Sequence, residues 1–119
     1  MRVTDSAWQT VVAVDDHGSL AGLVHFGHNN TMDAASGEIE FLYVDSSKQA
    51  TGVGTQLILI GESGLRRMGS TTAVLWVYEA NTPARAFYDR RGWHWDGAKR
   101  ESGSAPGNYL LRYAKNLTL

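Results

Sequence analysis

The chain has 119 residues, 43% of them apolar, with four Trp, five Tyr and three Phe; that is one domain's length with enough apolar surface for a packed core, which excludes a disordered tail. A formal charge of −1 excludes the global basic field that holds nucleic acid or anionic membrane without specificity. With no cysteine there is neither a disulfide framework nor a thiol nucleophile, and cysteine usage leaves the compartment undecided.

Met1 to Ser6 lacks the apolar run of a signal peptide, and nowhere do eighteen apolar residues follow one another. The expectation is a cytoplasmic protein whose partners are small molecules or proteins. Trp8 to Val14 is rich in β-branched and aromatic residues, Asp15-Asp16-His17-Gly18 supplies turn chemistry, and Leu20 to Phe26 is apolar again, which reads as a hairpin. Asn29 to Gly37 has no periodicity and reads as a connecting loop. In the strand that follows, Glu38 to Val44, a period of two puts Glu38, Glu40, Leu42 and Val44 on one face and Ile39, Phe41 and Tyr43 on the other.

Beyond Asp45-Ser46-Ser47 the period changes. Leu57, Ile58, Gly61, Leu65 and Met68 recur at helical spacing, so a helix is expected from about Val53 to Met68, ended by Gly69-Ser70. Ala73 to Tyr78 is a short continuous apolar run, as in a buried strand. A second helix enters at Asn81-Thr82-Pro83, with Asn81 or Thr82 as cap and proline in the first turn, and Gly92 stops it. Trp93 to Lys99 and Tyr109 to Tyr113 read as two closing strands. No repeat and no linker interrupts residues 1–119, so one α/β domain is expected, in the order β-β-β-α-β-α-β-β.

Gln49-Ala50-Thr51-Gly52-Val53-Gly54-Thr55 leaves a strand and opens a helix. Main-chain amides at a helix N-terminus have no intrahelical partner and carry partial positive charge, so such a loop favours an anion, and glycine lets the ligand approach closely. Two glycines alone are weak evidence. The third glycine of G-x-G-x-x-G and the Gly-Lys-Ser/Thr of a nucleoside triphosphate loop are both missing, which weakens those readings.

The array Gln49-x-x-Gly52-x-Gly54 resembles the Q/R-x-x-G-x-G/A signature of the GCN5-related N-acetyltransferases. Glu38 to Asp45 is similar to that family's fourth strand. Asn81 to Trp93 is similar to its second block, N-x-x-A-x-x-F-Y-x-x-x-G-F/W. The resemblance covers the chain from Trp8 to Tyr113. It implies a mixed, largely antiparallel sheet with two main helices. It also implies acetyl-coenzyme A as acyl donor, with its diphosphate on the amides of Gln49, Ala50, Thr51, Gly52, Val53, Gly54 and Thr55. The pantetheine arm would lie along Leu42, Tyr43 and Val44, where two strands splay, and would be hydrogen-bonded by Asn81. Gln49 stands where Arg is common, so main-chain amides and Lys48 are expected to matter more.

The implied reaction moves an acyl group from a thioester to an amine, and needs a neutral amine, a stabilised oxyanion and a proton for the departing thiolate. Tyr88 matches the family's general acid. Glu38 matches the position of a general base, with Glu40 or a water as the alternatives. His25 and His28 offer no third ligand, so no metal is expected. Arg90 and Arg91 read most simply as cations at a helix C-terminus. Members of the family usually place a strand and one or two helices before the hairpin, whereas seven residues precede Trp8 here. The resemblance therefore implies an exposed sheet region and a homodimer that covers it.

Overall fold

In the computed structural model, which describes residues 8–28 and 35–118, six strands form one sheet in the order β1-β2-β3-β4-β6-β5. They are β1 (Trp8–Val14), β2 (Leu20–Gly27), β3 (Ser36–Val44), β4 (Thr72–Tyr78), β5 (His94–Glu101) and β6 (Tyr109–Asn116). The helices are α1 (Val53–Arg67) and α2 (Thr82–Arg90), and a single 3₁₀ turn, Ser46–Lys48, follows β3. The sheet is antiparallel except between β3 and β4. The six strands and two helices match the expected order. The connecting loop expected from Asn29 lies outside the described residues over 29–34, and β3 starts at Ser36, two residues before the expected start at Glu38.

Both helices lie on one face of the sheet. Leu57, Ile58 and Leu65 of α1 are buried with Val24, Phe26 and Ile39, while Phe87 and Tyr88 of α2 pack on the part of the core that holds Leu75, Val77, Leu111, Tyr113 and Trp93. Gly61 and Gly64 let α1 come close to the sheet. A Cβ at Gly64 would stand 2.2 Å from the Phe26 ring, and one at Gly61 would stand 2.6 Å from Ile39 Cδ1. The helix is therefore set down where a methyl group would not fit.

The strict alternation expected for β3 is broken. Phe26 pairs with Ile39 and His25 pairs with Phe41, so Glu40 is an extra residue, a β-bulge. The bulge puts Ile39 on the same face as Leu42 and Val44, toward the helices, and leaves Glu38 on the opposite face. The reading that grouped Glu38 and Glu40 with Leu42 and Val44 is corrected accordingly; an inserted residue shifts the phase of every side chain beyond it.

Pairing between β3 and β4 covers only Ser36 with Thr72, Gly37 with Ala73 and Glu38 with Val74. Beyond Glu38 the two strands diverge. Tyr43 turns its carbonyl toward β2, where it lies 2.5 Å from a Cβ built on Gly22, and the Asp45 amide donates to Ala21 at 2.8 Å. Strand alternation then directs the main-chain groups of Leu42 and Val44 away from β2, into the gap.

Candidate active site

The gap opens on the helix side into a cleft of about 770 Å³. Its floor is Leu42 and Val44, one wall is the loop before α1, and the other is the first two turns and C-terminus of α2. The loop takes its shape from two left-handed residues, Ala50 at φ +66° and Gly52 at φ +90°. Gly52 is the N-cap of α1, and it supplies no side chain to bond the first-turn amides. Helices usually begin with Ser, Thr, Asp or Asn for that purpose. Here the amides of Val53, Gly54 and Thr55 have no helical carbonyl partner, and the positive end of the helix dipole faces the cleft. α2 begins differently, with the Asn81 carboxamide oxygen accepting from the Ala84 amide at 3.3 Å.

The expected coenzyme residues divide between the cleft and its surroundings. Leu42, Val44, Gln49, Ala50, Gly52, Gly54, Thr55 and Asn81 line it. Thr51 turns its hydroxyl to the Lys48 carbonyl, and Val53 packs against the core. Tyr43 shares the face of its partner Leu23, and its hydroxyl donates to Asp45 Oδ1 at 3.2 Å. That bond raises the tyrosine pKa, while the Ser47 hydroxyl and amide hold Asp45 below the usual carboxylate range. Lys48 is drawn to Asp15, 3.6 Å from its carboxylate, and does not line the cleft. With Asn81 Oδ1 engaged in the cap, the side-chain amide nitrogen is its group for a ligand.

Tyr88 also lines the cleft. Its ring packs edge-on against Phe87 and Trp93, and its hydroxyl has no hydrogen-bond partner among the described residues. Burial pushes its pKa up to about 12, because the phenolate would lose solvation. The group is therefore a neutral proton donor throughout the physiological range.

The carboxylates stand elsewhere. Glu38 is half-buried at the apex of the gap, on the sheet face away from the helices. Glu40, on the bulge, is exposed and lies 3.4 Å from His25 Nε2, while His25 Nδ1 lies 2.7 Å from the Thr10 hydroxyl and its ring stacks on Trp8. Neither carboxylate lines the cleft.

Arg91 is the residue that sequence reasoning undervalued. Its guanidinium lies 3.8 Å over the Phe87 ring, donates to Thr55 Oγ1 at 2.6 and 3.1 Å and to the Phe87 carbonyl at 2.8 Å, and lines the cleft beside Arg90. It links the end of α2 to the first turn of α1 and adds positive charge where the free amides face. Its position directly before the helix-stopping Gly92 was the available signal. Its partner, 36 residues earlier in the chain, left none.

Residues 2–93 match the model of the Acetyltransferase (GNAT) family. The chain belongs to that family. A mycothiol acetyltransferase of Geodermatophilus obscurus is 40% identical over 58 residues, 49% of this chain and 19% of that protein. The chain spans between 18% and 33% of the curated relatives it matches. The GNAT fold is shared with the crystal structure of nourseothricin acetyltransferase, at a TM-score of 0.82 and 24% identity over 96% of this chain and 68% of that one. It is shared also with the PaiA N-acetyltransferase of Thermoplasma acidophilum in complex with coenzyme A, at a TM-score of 0.74 and 20% identity over 92% of this chain and 61% of that one. No helix among the described residues is long and apolar enough to cross a membrane.

Proposed function

We propose that this GNAT chain transfers an acetyl group from acetyl-coenzyme A to a primary amine by direct attack. The observation that carries the reading is the uncapped start of α1, whose free amides share one cleft with the Tyr88 hydroxyl, unpartnered among the described residues. The solved relative in complex with coenzyme A supports the choice of donor.

In this reading the amides of Gly52 to Thr55 and the guanidinium of Arg91 hold the diphosphate. The main-chain groups of Leu42 and Val44 pair with the pantetheine arm as an added strand would. The thioester then reaches the apex of the gap. Glu38 faces that apex from the other side of the sheet, so the amine arrives from the open face. The amine nitrogen bonds to the thioester carbon and gives up a proton to Glu38, directly or through water, with Glu40 the alternative acceptor. The carbon–sulfur bond breaks, and Tyr88 protonates the thiolate.

Thermal denaturation with and without acetyl-coenzyme A, followed by turnover on a panel of amines, tests the proposal. A ligand that binds only the folded chain raises its melting temperature. Stabilisation with turnover is expected; no stabilisation sinks the reading, and stabilisation without turnover on any amine leaves a coenzyme-binding module in place of an enzyme.

A further inference from the structure

A buried charge cluster lies behind the phosphate end of the cleft. Glu62, on the buried side of α1, is 1% exposed. Its Oε2 accepts from the Trp93 indole at 3.1 Å and its Oε1 from Lys115 Nζ at 3.0 Å, with Arg66 Nη2 at 4.0 Å. Lys115, on β6, also donates to the main-chain carbonyl of Arg91 at 2.7 Å. Arg91 caps the end of α2, and Gly92 follows it at φ +86°. Lys115 of β6 thus ties Glu62 of α1 to one peptide unit at the end of α2. That unit belongs to the residue whose guanidinium reaches Thr55 and the cleft.

Burying a carboxylate and an ammonium is costly, and well-packed apolar residues of similar volume often serve stability as well or better. Stability alone is then a poor reason for the cluster. What an apolar pair would not supply is a directed hydrogen bond to the Arg91 carbonyl. We infer that Glu62 and Lys115 are a positioning pair for coenzyme binding: they fix the end of α2 so that Arg91 stands over the first turn of α1 at the spacing a diphosphate requires. The inference rests on the proposed coenzyme reading. Glu62 touches no ligand in it, and neither does Lys115. Their effect passes through the Arg91 main chain.

The test compares two donors, acetyl-coenzyme A and S-acetylpantetheine, which lacks the diphosphate. The Glu62→Leu/Lys115→Met double variant removes both charges together, so neither is left buried alone; the Trp93 indole loses its acceptor, and the variant should still unfold in one cooperative transition, somewhat below the wild-type temperature. Its KM for acetyl-coenzyme A and its Kd for coenzyme A by calorimetry should rise about tenfold. Its kcat, and its kcat/KM for S-acetylpantetheine, should stay at wild-type values. Unchanged coenzyme affinity in the folded double variant overturns the inference, and so does an equal loss for both donors, which would mean general loosening. Arg91→Met gives an independent check that leaves the pair intact. It should show the same diphosphate-dependent loss, and wild-type affinity there would leave the pair nothing to position. A wild-type chain that binds no coenzyme A removes the function reading itself and this inference with it.

Discussion

On the helix-bearing face of the sheet, Gly54 lies 3.4–3.5 Å, measured from its would-be Cβ, from Val44 and Phe87, and the core beneath is closed. On the opposite face Val12 is 56%, Phe41 59% and Tyr43 45% exposed. One face presents main chain and a few fixed side chains to the cleft. The other offers aromatic surface and carboxylates that solvent reaches. The difference teaches that donor and acceptor are handled by different kinds of structure in the proposed reaction. A backbone cradle depends on a few residues that permit a conformation, whereas the proposed acceptor face depends on the chemistry of its side chains.

The sharpest way to break the comparison is at Tyr88, the helix-side group proposed to supply the proton. Tyr88→Phe should keep coenzyme affinity and slow turnover by about 10²–10⁴-fold. Full turnover in the variant, measured where chemistry limits the rate, would remove its role as acid.

The loop glycines come next. At Gly52, with φ +90°, an L-side chain costs roughly 1–2 kcal/mol, and Gly52→Val should also misalign the free amides and weaken coenzyme A binding by calorimetry. Gly54→Ala should be tolerated, because its new Cβ would make only ordinary contacts. Equal losses at the two positions would mean that the cradle is defined by bulk and not by backbone conformation.

Alkaline stability separates the buried tyrosine from its surroundings. The folded-state pKa of Tyr88, about 12, lies above the ordinary value near 10. Its contribution is complete below pH 10 and is lost as the pH rises through 12, a change of roughly 3 kcal/mol. Tyr88→Phe should therefore resist unfolding better than wild type over that interval in alkaline denaturation. Identical curves would mean that the ring ionises as freely as it does in the unfolded chain.

The smallest effect is expected on the open face. Phe41→Ser should alter stability by within about 0.5 kcal/mol and leave the donor KM unmoved while shifting the acceptor KM. A shift in donor KM instead would show that the two faces are not independent.

Much of this arrangement was legible in the sequence because its punctuation is local. Asp15-Asp16-His17-Gly18 turns one hairpin and Gly69 and Gly92 end the two helices, each by its own backbone chemistry. The bulge at Glu40 was not legible, since strand alternation carries no mark for an inserted residue, and Glu38 was grouped with Leu42 and Val44 for that reason. Glu62 did leave a trace, as a charge on the buried stripe with Ile58 and Leu65. Its partner Lys115, 53 residues away, could be identified only once α1 and β6 were packed together.

The short β3–β4 ladder carries a consequence for amide hydrogen exchange. Three register pairs join the β1-β2-β3 half of the sheet to the β4-β6-β5 half. Past Glu38, the amides of Leu42 and Val44 have no partner strand on the β4 side. In the free chain they should exchange with solvent deuterium far faster than those of β6, which is paired on both sides. A pantetheine arm laid in the gap would supply their missing acceptors, so protection should appear on addition of coenzyme A first at these alternate residues, an isotopic footprint of the ligand along one strand edge.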